Sequence, residues 1–335
     1  MENENAGEWL KELPVQTENP AFKPEEMILC LKCQRTNPPT RLACFYCGAQ
    51  LELNEAQSKN LRPHLRKMEI WEKGFNLILA PEGQVLDEAK FSEIAKILNL
   101  ESEALQKLFG ANKALPLARA ESEKEAEIIR ERLRESGVES IVLSDESLAV
   151  EKPQRRLRGL EFSDDKINLI LFNQNEKAEI ALGDLCLIVK GAIFERKVES
   201  TEKRSKKGDS KILQSTETAS DEFLIDVYSR KDASGYRIFA KGFDFSCLGA
   251  EKEILANENL RKLAQRLFEI APGAKLVEDY LKVRESLGNV WEVEERTDSQ
   301  GLKSGSFGRY NVGNITTVNN SAQFTKYSRL QWHLL

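Results

Sequence analysis

Histidine is almost missing from this chain. Its 335 residues include two, His64 and His333, and neither stands near a nucleophile signature. No G-x4-G-K-[ST], G-x-G-x-x-G, H-E-x-x-H or G-x-S-x-G occurs, which removes the usual motif-based grounds for a nucleotide-dependent enzyme, a zinc protease or a serine hydrolase. The expectation is a protein that is not an enzyme. No apolar run approaches the roughly 18 to 20 residues of a membrane-spanning helix. The opening "MENENAGEWLKELPVQTENPAFKPEE" has neither a basic n-region nor an apolar h-region, so it does not read as a secretory signal, and a cytoplasmic location is expected. Charge of one sign is also lacking: the net value is -5, so any contact with nucleic acid has to come from a local patch rather than bulk attraction.

What is present is the composition of a globular protein, 41% hydrophobic and 31% charged, in a chain long enough for two or three domains. The sharpest feature is the cysteine pattern. Cys30, Cys33, Cys44 and Cys47 spell C-x2-C-x10-C-x2-C. Each CxxC can form a tight knuckle with both thiolates on one side, and two knuckles face to face supply the four sulfurs of a tetrahedral Zn2+ site. A redox role is the alternative for two CxxC pairs, but no βαβ context of a thioredoxin surrounds them. Four cysteine ligands leave no open coordination position, which points to a structural ion. A segment this short cannot bury a core, so the ion would supply its folding energy, on the order of 10 kcal/mol.

The stretch "CLKCQRTNPPTRLACFYCGAQL" resembles bacterial zinc-ribbon modules. Its spacing of Cys30, Cys33, Asn37, Cys44 and Cys47 is also similar to that of the Ran-binding-protein zinc finger, a family with members that bind single-stranded RNA and members that bind ubiquitin. The resemblance implies bound Zn2+ and a small recognition surface. Ile28 stands where the family usually has tryptophan, and Gln34-Arg35 where its ubiquitin binders have a threonine-phenylalanine pair. Arg35, Asn37, Arg41, Phe45 and Tyr46 are the candidate contacts, offering charge to phosphates and rings to bases. Equally, these side chains can prop a mini-domain that meets another protein.

The remaining chain divides by pattern. Residues 1–27 read as a disordered leader, 28–53 as the zinc ribbon and 54–71 as a linker. Residues 72–150 predict a small βααβαβ domain: "FNLILA" is a strand, and "EAKFSEIAKILNL" puts Phe91, Ile94, Ala95 and Leu98 on one helical face. A second helix ends at Gly110, and "KALPLARA" is a strand whose Pro116 suits an edge. Ser122 and Glu125 suggest a capping box, Gly137 a helix stop, and "VESIVLSD" a third strand. This order resembles the C-terminal domain of the bacterial ribosomal stalk protein, which implies a compact interaction module.

From 154 to 290 the pattern is β-rich, with a lysine-bearing polar stretch at 196–220 expected to be a flexible loop, and Leu260, Leu263, Leu267 and Ile270 forming one face of a late helix. Strands followed by a helix look like the pleckstrin-homology-like superfold, a partly open barrel with a C-terminal helix. Cys186 and Cys247 read as buried thiols. The final segment, 291–335, has no acidic residue from Gly301 onward. Arg309, Tyr310, Lys326, Tyr327 and Arg329 there combine charge with rings, suiting either a single strand or docking onto the protein's own body, and "NITTVNN" has the look of a strand. The fold class expected is therefore α+β multidomain. The function expected is a zinc-binding adaptor or scaffold for protein partners. The alternative is an RNA-associated factor gripping single strands through the finger and the basic aromatic segment; a small-molecule substrate is not expected.

Overall fold

The computed structural model describes residues 22–39, 42–53, 65–80, 88–172, 177–204, 210–304 and 310–335. The chain forms two compact units, 1–64 and 65–335. In the first, β1 (Ile28–Leu29) pairs antiparallel with β2 (Thr36–Asn37). The expected leader lies mostly outside the described residues, as does most of the linker. At the C-terminal end of the expected linker, Leu65 and Met68 are buried.

The second unit opens with β3 (Phe75–Leu79), α1 (Glu88–Leu98), α2 (Ser102–Gly110), β4 (Pro116–Ala120), α3 (Glu123–Glu135), β5 (Ser140–Ser144) and the single turn α4 (Asp145–Leu148). The element order is the one the periodicity predicts. Ile94, Ala95 and Leu98 are the buried face of α1, and Pro116 begins an edge strand in the sheet order β4-β3-β5, where its missing N–H costs no ladder bond. Ser122 caps α3 by accepting from the Glu125 N–H at 3.2 Å. The reciprocal bond is displaced by one residue: Glu125 accepts from the N–H of Glu121 at 2.9 Å.

The rest is built on one long antiparallel ribbon, β9 (Leu185–Arg204) and β10 (Ser210–Ser229), which pair from Ser210↔Arg204 to Ser229↔Leu185. Around it lie β6 (Arg155–Phe162), β7 (Lys166–Leu171), β8 (Lys177–Ala181), β11 (Asp232–Phe239), β12 (Lys275–Val277), β13 (Glu294–Ser304) and β14 (Tyr310–Asn319). They join in the order β13-β14-β9-β10-β11-β6-β7-β8, with β12 alongside β9. Among the described residues these strands do not close into a barrel. The flexible loop expected at 196–220 is corrected: residues 196–204 and 210–220 are strand, and 205–209 lie outside the described residues. Its Ser, Thr, Lys and Glu residues pair across the ribbon, and β14 adds a third strand at Val312↔Glu202 through Asn319↔Glu195.

Alternation along the ribbon makes two cores. Leu187, Val189, Leu224 and Tyr228 pack into a cluster that continues without a break into Leu77, Ile94, Leu105, Leu117 and Ile129 of the α/β segment. Residues 72–150 therefore share their core with the ribbon. Ile188, Ile225, Val227 and Ile238 face the other way, onto α5 (Ala256–Ile270) through Leu260, Leu263 and Leu267. Each such side chain contributes about 1.5–3 kcal/mol on burial.

On the first face lie α6 (Tyr280–Leu287) and α7 (Ser321–His333). The second is unusual in burying polar residues: Gln323, Thr325, Ser328, Arg329 and Gln331 are as inaccessible as Phe324, Tyr327 and Leu330. Each of these five but Gln331 has a described partner, consistent with the cost of leaving a buried polar group unpaired. Thr325 Oγ1 accepts from Arg237 at 3.2 Å, and Arg237 makes two bonds to Asp226 at 2.7 and 2.8 Å. Ser328 and Tyr228 hydroxyls lie 2.8 Å apart, and Gln323 donates to Trp291 O at 2.8 Å. Lys326 meets Asp145 at 2.9 Å, and Arg329 donates to the carbonyls of Leu148, Ala149 and Lys152. Thus α7 bolts the α/β segment to the ribbon.

Candidate metal centre

The two CxxC stretches fold into the same turn. In the first, the Cys30 carbonyl accepts from Gln34 N at 2.7 Å and Cys30 N donates to Arg35 O at 3.0 Å. In the second, the Cys44 carbonyl accepts from Gly48 N at 2.9 Å and Cys44 N donates to Ala49 O at 2.7 Å. Both close on a residue with positive φ immediately after the second cysteine, Gln34 at 54° and Gly48 at 69°. Glycine takes that conformation without strain and glutamine at some cost. The flanking pairs correspond as well, Leu29↔Thr36 in one knuckle and Ala43↔Gln50 in the other.

The result is a four-sulfur cluster. The Sγ atoms of Cys30, Cys33, Cys44 and Cys47 all lie within 4.8 Å of one another, with Cys30–Cys47 at 3.6 Å and Cys33–Cys44 at 3.5 Å. A tetrahedron with metal–sulfur bonds of about 2.3 Å has edges of about 3.8 Å, so the donor set fits one ion without rearrangement. Among the described residues these four are the one group of side chains placed to hold a metal. All six cysteines of the chain are free of disulfides.

The electrostatics favour a cation. The backbone N–H of Arg35 pulls the Cys33 thiol down, but burial and the three neighbouring sulfurs outweigh it and push it up to about 12. Burial raises Cys44, while the backbone N–H groups of Tyr46 and Cys47 and the Asn37 amide outweigh it and hold it at about 6. Crowded sulfurs that resist joint ionisation become compatible once a divalent ion lies between them.

Asn37 is the inner brace of the cluster and not a contact residue. It is fully buried, donates to Arg35 O at 3.0 Å and to Cys44 Sγ at 3.5 Å, and accepts from Phe45 N at 2.8 Å. It ties the two knuckles together, which corrects its place among the candidate contacts. Arg35, Phe45 and Tyr46 do stand together at the surface. The Arg35 guanidinium lies over the Tyr46 ring at 4.7 Å, and Tyr46 meets Phe45 edge-on with centroids 5.4 Å apart. Phe45 and Tyr46 are 66% and 53% exposed. The sequence pattern overlooked two further exposed apolar residues, Leu29 and Leu31. Their signal was the size of the module, since apolar residues beside the cysteines of so short a segment have no core to enter.

Arg41 and Arg309 lie outside the described residues, and of Tyr310 only the backbone is described. Tyr327 and Arg329, by contrast, are buried in α7 against the protein's own body, and the half-buried Lys326 is held on Asp145 at 2.9 Å. They form no surface for a single strand, because their charges and ring complete the packing of α7 against the ribbon and the α/β segment. His333 rests its ring nitrogen on Ser147 O at 3.0 Å. Cys186 is buried, and burial pushes the half-buried Cys247 up to about 11, so neither is an activated thiol.

No family model, curated protein or solved structure matches the chain. No helix among the described residues is long and apolar enough to cross a membrane. The class defined by fold and site is thus an α+β protein carrying a four-cysteine module able to hold a metal ion.

Proposed function

We propose that the four cysteines hold a structural Zn2+ and that the protein is a non-enzymatic cytoplasmic adaptor, whose zinc module presents Phe45, Tyr46, Leu29 and Leu31 to a protein partner. The observation that carries this reading is the exposure of four large apolar side chains on a module too small to hide them. Singly exposed apolar residues are ordinary, but several on so few residues mark a docking surface. Bound zinc completes a closed S4 shell and supplies folding energy; it holds no substrate position. The ring pair and the Arg35 guanidinium then stand on rigid turns, which lowers the entropic cost of binding.

The Arg35–Tyr46 stack favours a second reading, a single-stranded RNA held by one cation and two rings. The two separate in one experiment. Affinity purification compares wild type with Phe45→Ser/Tyr46→Ser, each with and without RNase. The adaptor reading expects partners that are lost in the variant at unchanged metal content and are indifferent to RNase. Partners lost on RNase support the RNA reading, and partners unchanged in the variant overturn both.

A further inference from the structure

Antiparallel strands at the edge of a sheet expose a row of unused N–H and C=O groups, and natural proteins guard such edges with charge, bulges or cover. Among the described residues, the outer half of the long ribbon, with β13 and β14 beside it, has two of them. One is β13, which carries Glu294, Glu295, Arg296, Asp298 and Lys303 and is broken by a bulge between Ser299 and Leu302 at Gly301, φ 75°. That edge is guarded.

The other is the outer half of β10. On one side β10 pairs with β9 throughout; on the other, β11 covers it only from Leu224 to Ser229. The Phe223 carbonyl accepts from Ala240 N at 2.8 Å, so the open edge begins at Glu222. It runs back to Gln214, where a bulge against β9 ends the regular ladder. Between them stands "QSTETASDE", with Gln214 to Asp221 exposed and no proline, lysine or bulge. Two of its three acids are already paired within the chain: Glu217 with Arg196 at 3.0 Å and Asp221 with Arg284 at 2.7 Å.

We infer that this edge pairs with the same edge of a second copy, extending the sheet across a two-fold axis. The geometry selects a register. In an isologous antiparallel pairing about an axis perpendicular to the sheet, facing residues must point to the same side, so the axis passes through one residue facing its own counterpart. With Thr218 on the axis the whole open edge is used, Gln214 facing Glu222, Ser215 facing Asp221, Thr216 facing Ser220 and Glu217 facing Ala219. No carboxylate meets another. Moving the axis to Glu217 sets that carboxylate against itself, and moving it to Ala219 sets Glu217 against Asp221; both also shorten the ladder. Like charges directly opposite are destabilising, whereas Thr–Thr and Ser–Thr pairs are favourable. The register that uses the whole open edge is thus also one in which no like charges face each other.

Sedimentation velocity on the full chain over rising concentration tests this, with Thr218→Lys and Thr218→Glu as variants. Their side chains are exposed, and unchanged far-UV circular dichroism and metal content confirm the fold. The wild type is expected to pass from monomer to dimer. Each variant places like charges face to face on the axis and weakens the dimer about tenfold or more, equivalent to about 1.4 kcal/mol. An equal mixture of the two variants restores dimerisation by pairing Lys with Glu. A wild type that stays monomeric, variants that dimerise as the wild type does, or a mixture that fails to recover each overturns the inference.

Discussion

At the scale of single residues, Asn37 shows how a side chain can look like a contact in sequence and be a brace in space. Its amide reaches both knuckles and leaves nothing for a ligand. Groups that orient metal ligands typically contribute 10- to 100-fold to metal affinity, so Asn37→Ala should weaken Zn2+ binding by roughly that factor; competition against a chromophoric chelator measures it. Asp145 is a second brace, half-buried. Burial pushes its carboxyl up, but Lys326, Arg119 and Asn76 outweigh that and hold it below the usual carboxylate range. A carboxyl whose folded value is depressed stabilises the fold above its unfolded value, near 3.9, and that stability is lost as pH falls through the folded value. Asp145→Asn should therefore lower stability at neutral pH and flatten its loss on acidification, as read from denaturant midpoints over a pH series. A variant with the wild-type acid profile would show that Asp145 does not carry it.

At the scale of elements, what sequence revealed tracks the strength of the periodic signal. The order of β3 through β5 was legible because each helix repeats its apolar residues on one face and each turn carries its stop, as with Gly137 at φ 89°. The outer halves of β9 and β10 were not, because both faces there are polar and the strand that completes them, β14, lies about a hundred residues away in sequence. Helix α7 was legible only as a choice between gripping a single strand and docking onto the protein's own body, and the structure takes the second. The partners that decide it come from distant segments: Asp145 for Lys326, Tyr228 for Ser328, Trp291 for Gln323, and the carbonyls of Leu148, Ala149 and Lys152 for Arg329. Tight approach is part of this packing: a methyl group at Gly191 on β9 would press into the Phe324 ring. Overpacking of this kind costs about 1–3 kcal/mol, so Gly191→Ala should lower the unfolding free energy by that amount, with Phe324→Leu in the same chain recovering part of it.

At the scale of the whole molecule, one body holds two cores on opposite faces of a long ribbon, and the cysteine module belongs to a separate unit. The candidate ligands were fully legible, since four cysteines at this spacing admit few arrangements. The surface around them was legible in part, since exposure of Leu29 and Leu31 depends on what the module leaves uncovered. The direct test is metal content together with geometry on purified full-length protein. The account predicts one Zn2+ per chain, displaceable by Co2+ with the visible absorption of a tetrahedral thiolate site. In Cys30→Ser/Cys44→Ser, zinc is lost while the far-UV signal of the body persists. Protein purified without stoichiometric metal that also fails to take up Co2+, or zinc retained in the double variant, would contradict it.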